Sequence, residues 1–314
     1  MSDRAVGDVV VTKLVPPPVP AALVRRRSLL RRIATRGRRL TVVVAPAGWG
    51  KSTLLAEWCA AQPTDRAVAF AGLDRLDDDP VRFWTTVLAA LSATGLEIGT
   101  RVPASPQAGG PGLWQAVVPA LVNELAASDT EVVVVIDDYH RVSDDGVHSG
   151  MRYLVDHTPQ TLHLVVSTRR EPPLGLARVR ATGYLDEIRA ADLALETRET
   201  ARLVRLVSGV ELDGADVALL RAKTEGWPAG VQLAALSLRH HPDPGGFVQR
   251  FAGDHRHVVD FLTAEVLARL SAELRWFLLR CSILDWLEAG VCDAVVGSDD
   301  AAGLLREVEA LNLF

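Results

Sequence analysis

The chain has 314 residues, 48% of them hydrophobic and 23% charged, enough to bury a substantial core and to divide into two or three structural units. A formal net charge of -5 excludes a general basic field for nucleic acid, so any DNA contact would need a local patch. Aliphatic runs such as Val132 to Ile136 fall far short of the ~20 residues that span a bilayer, and Met1-Ser2-Asp3-Arg4 leads into no hydrophobic signal region.

Residues 1–25, with Pro16-Pro17-Pro18 and Pro20, read as an extended arm lying on the surface. Eight arginines follow between Arg25 and Arg39. They form either a solvated helix face or, in part, a clamp on a bound anion, with Leu29, Leu30 and Ile33 as the buried side. Apolar runs at Leu40 to Val44, Val68 to Phe70, Val132 to Ile136 and Leu162 to Val166 lack polar alternation, the pattern of strands covered on both faces. Helical patterns lie between them. Asp79-Pro80 reads as an N-cap followed by an N1 proline, before a face made by Val81, Trp84, Val87, Leu88 and Leu91. A second helix fits Leu113 to Ala126, and the Gly/Pro-rich stretch from Gly95 to Gly112 separates the two as a loop.

After about residue 190 the strand signal fades and helical patterns take over. Thr197 is expected to cap a helix carrying Ala201, Val204 and Val207; another runs from about Asp216 to Glu225; Pro228 opens a third. His240 to Gly246 reads as a linker, and Val258 to Leu267 as a long amphipathic helix, followed by Trp276, Phe277 and Ile283. The apolar pattern continues to Phe314, which suggests a piece of something longer. The expected divisions are an arm (1–25), a P-loop NTPase three-layer α/β/α domain with a parallel sheet (26–190), a small helical domain (191–245) and a helical domain from 246 to 314.

The chemistry concentrates at the end of the first strand. A phosphate chain needs backbone N–H groups bent around it, a helix N-terminus, a lysine for its outer oxygens and a hydroxyl for its magnesium. Ala45-Pro46-Ala47-Gly48-Trp49-Gly50-Lys51-Ser52 supplies all four. Ala47, Gly48, Trp49 and Gly50 form the cradle; Lys51 reaches the β- and γ-phosphates; Ser52 ligates Mg²⁺; Thr53 opens the helix. In a chain whose other lysines are only Lys13 and Lys223, one stands where a phosphate-binding loop requires it. Ala45 occupies the place of the usual first glycine. The third strand ends in Asp137-Asp138: Asp137 is assigned to the metal shell and Asp138 to positioning or activating water. Arg169, at the tip of the next strand, is the candidate sensor of the γ-phosphate. Pro228 either starts a helix or lies against the adenine. Cys59, Cys281 and Cys292 have no metal spacing and read as packing residues in a reducing cytoplasm; His255 and His257 belong to no zinc set. The expected cofactors are ATP or ADP and Mg²⁺, with no membrane partner.

This layout resembles the nucleotide-binding module of MalT-like, large ATP-binding LuxR-type regulators within the STAND class of signal-transducing NTPases. The resemblance rests on Thr12-Lys13-Leu14, the loop from Ala45 to Ser52, Asp137-Asp138-Tyr139-His140, Ser167-Thr168-Arg169 and Gly226-Trp227-Pro228-Ala229-Gly230. It implies an ADP-bound resting form, exchange to ATP on inducer binding, homo-oligomerisation in the ATP state, and DNA binding through regions outside these residues. It also implies that the last helical domain begins a winged-helix unit. Slow Mg²⁺-dependent hydrolysis would serve such a switch. The alternatives are a small-molecule or nucleotide kinase, which would need an acceptor site and lid arginines, and a scaffold that binds nucleotide without hydrolysing it.

Overall fold

The computed structural model describes residues 9–35, 37–64, 66–96, 112–239, 241–253, 255–284 and 286–311. Most of the expected loop from Gly95 to Gly112 lies outside the described residues, as do the first eight residues of the arm, His240 of the expected linker, and residues 312–314.

The unalternated apolar runs form parallel strands: β1 (Leu40–Val44), β2 (Ala67–Gly72), β3 (Val132–Asp137) and β4 (Leu162–Thr168). β1, β3 and β4 are buried at every position. A fifth strand, β5 (Leu185–Arg189), was not expected, and the sheet order is β2-β3-β4-β1-β5. Its sequence, Leu-Asp-Glu-Ile-Arg, carries no apolar run because it is an edge strand that buries only Ile188 fully. Charged side chains on an edge discourage pairing with another chain. Here Arg180 holds Glu187 through two hydrogen bonds of 2.8 and 2.9 Å, and Arg189 reaches Glu171 at 2.9 Å.

One face of the sheet, with Leu40, Val42, Val134, Ile136, Leu164 and Val166, packs into a core with residues of three helices, Pro80–Ser92, Leu113–Ala127 and Asp145–Asp156. Counting from the short helix α1 (Arg27–Leu30) and from α2 (Lys51–Ala60), these are α3, α4 and α5. Asp79 caps α3 by accepting from Arg82 N–H at 3.0 Å, with Pro80 at the first helical position as expected. The opposite face, with Thr41, Val43, Val133, Val135 and Val165, is buried too. Parallel pairing sets Val44 beside Thr168 and Ile136 beside Val166. The C-terminal ends of β1, β4 and β3 therefore lie side by side on one edge, with β4 in the middle. Helices α6 (Leu176–Ala181) and α7 (Ala190–Leu193) flank β5 in the chain.

The arm is held more firmly than its prolines suggest. Val11–Leu14 forms a 3-10 turn, and Lys13 pairs with Asp77, which is 1% exposed, and with Asp74 at 3.3 Å. Asp77 also accepts from Thr86 Oγ1 at 2.9 Å and from Asp74 N–H at 2.7 Å. A carboxylate taken out of water requires such partners, and Lys13 supplies the charge.

By compactness the chain divides into two units: one runs through Val44 and resumes over Gly50–Asp192, and the other gathers Ala45–Trp49 with residues from Leu193 onward. The second unit is helical, with α8 (Thr197–Ser208), α9 (Gly214–Thr224), α10 (Pro228–Leu238), α11 (Pro244–Arg250), α12 (Arg256–Glu265), α13 (Ala272–Cys281), α14 (Ala289–Val296) and α15 (Ala301–Ala310). The cap of α8 is Glu196 rather than Thr197: its N–H donates to Glu199 Oε2 at 2.9 Å, half of a capping box, which displaces the expected cap by one residue. The expected long helix ends at Glu265 and gives way to a 3-10 turn, Leu267–Arg269. Leu274, Phe277, Cys281, Cys292, Ala301 and Val308 build a separate core for α13–α15. Trp276 and Ile283, part of the same apolar pattern, are exposed.

Candidate functional site

The loop Ala45–Ser52 joins β1, an interior strand, to α2. Gly48 and Gly50 adopt φ of 77° and 79°, a left-handed conformation closed to most side chains, and Gly50 is the N-cap residue before Lys51. The first N–H groups of α2 have no helical partners and carry the positive end of the helix dipole, so an anion is favoured there. Lys51 is 6% exposed. Burial pulls its ammonium down to about 8, opposed by Asp138 and Asp137 and reinforced by Arg169. The neighbouring carboxylates do not outweigh the cost of burial, so an added polyphosphate would stabilise the charged form.

At the tip of β3, Asp137 is 6% exposed. Its Oδ1 accepts a short hydrogen bond from Ser167 Oγ, at the tip of β4, and another from Asp138 N–H at 3.1 Å. The Asp138 N–H also reaches Ser167 Oγ at 3.1 Å. Ser167 is thus the residue that orients Asp137, a role sequence reasoning missed although the Ser-Thr-Arg motif stood out. Asp138 sits at φ 62°, which costs a residue with a Cβ about 1 kcal/mol. Burial and then Asp137 raise its carboxyl's pKa, against Lys51, Arg141 and Arg169. His140 Nδ1 lies 3.6 Å from one of its oxygens and Arg141 Nη2 4.0 Å from the other. Arg169 follows β4 by one residue and acts electrostatically on both Lys51 and Asp138. Cys59, on α2, has its thiol pushed up to about 12 by burial and then by Asp137, consistent with a packing residue.

Lys51, Ser52, Thr53, Asp137, Asp138 and Arg169 therefore belong to the sheet unit with Gly50, while Ala47, Gly48, Trp49 and Pro228 belong to the helical unit. Pro228 is the first residue of α10. The contacts of its motif are made by its neighbours, which sequence reasoning also missed. Trp227 Nε1 donates to the Ala47 carbonyl at 3.1 Å, and Ala229 N–H to the Gly48 carbonyl at 3.1 Å. A Cβ on Gly48 would come within 2.7 Å of Ala229 Cβ and 2.8 Å of Trp227 Nε1.

The donor set fits a nucleotide with Mg²⁺. Among the described residues no three His, Cys, Asp or Glu side chains gather as a metal cage. Mg²⁺ instead prefers one or two protein oxygens completed by phosphate oxygens and water, and Ser52 and the oriented Asp137 are the residues of the right kind. No helix among the described residues is long and apolar enough to cross a membrane.

Comparison with known proteins agrees with this geometry. An AAA ATPase domain model matches residues 25–167 and a MalT winged helix domain model residues 263–314. The HTH-type transcriptional regulator MalT of Yersinia enterocolitica is 34% identical over 93% of this chain and 32% of its own length. The serine/threonine-protein kinase PknK of Mycobacterium tuberculosis is 34% identical over 95% of this chain and 27% of its own. The chain thus spans about a third of the curated relatives it matches. Among solved structures, a Walker-type ATPase of Pyrococcus abyssi aligns with a TM-score of 0.61 at 13% identity, covering 94% of this chain and 92% of that one. A signal transduction ATPase with numerous domains and a tetratricopeptide repeat sensor, from Pyrococcus horikoshii, aligns at 0.51 and 16% identity, covering 95% and 40%. At these identities the two structures speak to the fold, which is that of a P-loop ATPase carrying a winged helix region at its end.

Proposed function

We propose that this chain, similar to MalT regulators along 93% of its length, is the ATP/ADP-binding switch module of a larger cytoplasmic regulator. ADP is retained at Ala47–Thr53 in the resting form, ATP drives self-association, and slow Mg²⁺-dependent hydrolysis restores the first state. The single observation that carries this reading is the loop itself. It has two left-handed glycines ahead of a helix N-terminus, and a buried Lys51 whose pKa burial lowers to about 8, so that a bound polyphosphate would further favour its charged form.

Each residue then has a defined task. Lys51 holds the outer phosphates, and Ser52 with Asp137 holds Mg²⁺, which would neutralise phosphate charge. Asp138, its carboxyl pKa raised by burial and by Asp137, accepts a proton from the water that attacks the γ-phosphorus. It is a short base already engaged by His140 and Arg141, which supports slow turnover. Arg169 reports the γ-phosphate, and Pro228 lies against the adenine. Exchange of ADP for ATP shifts the loop between two states in equilibrium. Only a difference in affinity between the two states can shift such an equilibrium.

A second output is favoured by one observation: PknK, a kinase by name, is as similar as MalT. The same module could therefore govern phosphorylation rather than transcription in the longer protein, with inducer and DNA or protein substrate bound elsewhere. Single-turnover assay with γ-labelled ATP and size-exclusion chromatography with ADP or a non-hydrolysable ATP analogue test the switch. Slow phosphate release and a larger particle with the ATP analogue are expected. Bound nucleotide with no release and no change in size would leave only a scaffold.

A further inference from the structure

The motif Gly226-Trp227-Pro228-Ala229-Gly230 is built around its tryptophan. Gly226 has φ of 75°, and a Cβ there would lie 2.5 Å from the Leu195 carbonyl oxygen, whose residue returns an N–H to Gly226 O at 2.8 Å. A Cβ on Gly230 would lie 2.6 Å from Trp227 Cε3, so the indole lies down on α10 where only a glycine leaves room. Pro228 fixes the first helical turn just after it. The indole so placed donates to Ala47 O, and the next N–H along the helix, that of Ala229, donates to Gly48 O, both at 3.1 Å.

A planar trans peptide points its C=O and its N–H in opposite directions. Fixing the Ala47 carbonyl toward Trp227 therefore aims the Gly48 N–H the other way, and fixing the Gly48 carbonyl toward Ala229 does the same for the Trp49 N–H. Two successive backbone donors are thereby set, as an anion-binding concavity needs. On its other side the Trp227 ring meets Phe261 of α12 edge-on, with centroids 5.5 Å apart. All of these residues belong to the same unit.

We infer that Trp227 is the positioning residue of the phosphate loop: it aims the Gly48 N–H at the nucleotide phosphates and, through Phe261, ties that geometry to α12. This rests on the nucleotide-binding reading above and names a residue that sets it. Trp227→Phe keeps an aromatic side chain but removes the donor. In the full chain, stopped-flow release of a fluorescent ADP analogue is expected to be about tenfold faster, the effect of one lost buried hydrogen bond. The association rate should stay as in the parent, a split between release and association that a tryptophan acting only through overall stability would not give. Unchanged release, or a melting temperature that falls while the release rate stays the same, overturns the proposal.

Amide hydrogen exchange on the parent protein tests it without any variant. ADP should slow exchange at residues 45–52, 226–231 and 258–265 together. Protection confined to 45–52 overturns the proposal while leaving nucleotide binding intact. A parent chain that fails to bind the ADP analogue would instead bring down the nucleotide-binding reading, and this inference with it.

Discussion

Gly48→Ala would force a Cβ against Ala229 and Trp227 at a backbone angle alanine tolerates poorly. A cost of about 2 kcal/mol in stability is expected, with loss of bound nucleotide, measured by denaturant unfolding and by nucleotide content. A stable variant with full nucleotide content would refute the close packing of loop and helix. Ser167→Ala leaves the Asp137 carboxylate without its orienting hydroxyl. The Mg²⁺ concentration for half-maximal ATP binding should rise roughly tenfold, as when the partner of a metal-binding side chain is removed, and an unchanged Mg²⁺ titration would rule that role out. The placement of Lys51 and the two glycines on a strand-to-helix turn was legible because they sit in contiguous residues at fixed spacing, and that of Asp137 because it ends an apolar strand run. Ser167 and Trp227 were visible only as motif members. What they do depends on β4 lying beside β3, and on a helix start packing against a loop about 180 residues earlier in the chain, which no local spacing encodes.

Between elements, the arm and the sheet carry their own tests. Lys13→Met strands the buried Asp77 carboxylate. A loss of about 3 kcal/mol is expected in urea unfolding, partly recovered in Lys13→Met with Asp77→Asn. A loss below about 0.5 kcal/mol, the size typical of an exposed pair, would contradict the pinned arm. On β4, His163 Nδ1 donates to Arg38 O at 3.0 Å, and its Nε2 lies 2.9 Å from Thr41 Oγ1, a hydroxyl that can donate to the neutral ring. Burial lowers its pKa to about 4, from an ordinary 6.5. Between those values the unfolded chain takes up a proton that the native protein refuses, so stability falls as pH drops from about 6.5 to about 4. His163→Gln should lose that slope, and an identical acid slope in both proteins would count against it. The buried strands β1, β3 and β4 could be read from composition, since burial on both faces leaves mostly apolar residues, with hydrogen-bonded Thr41, His163 and Ser167 as polar exceptions. β5 could not: its Asp186, Glu187 and Arg189 are what an edge demands, and in sequence they look like a loop.

Over the whole molecule, the proposed switch is a two-state device whose equilibrium the nucleotide biases. Moving such a device from one part in a hundred to near completion requires about a 10⁴-fold difference in affinity between its two states, so tight binding alone would not make a switch. Every step nevertheless depends on the loop from Ala45 to Ser52 holding a nucleotide. The measurement that tests this most directly is the nucleotide released by denaturing the purified protein and resolved by anion exchange, in the parent and in Lys51→Ala. About one ADP per chain in the parent, and almost none in a Lys51→Ala protein that melts at a similar temperature, is the predicted result. Equal nucleotide content in the two proteins, or none in the parent even after incubation with ADP and Mg²⁺, would contradict it.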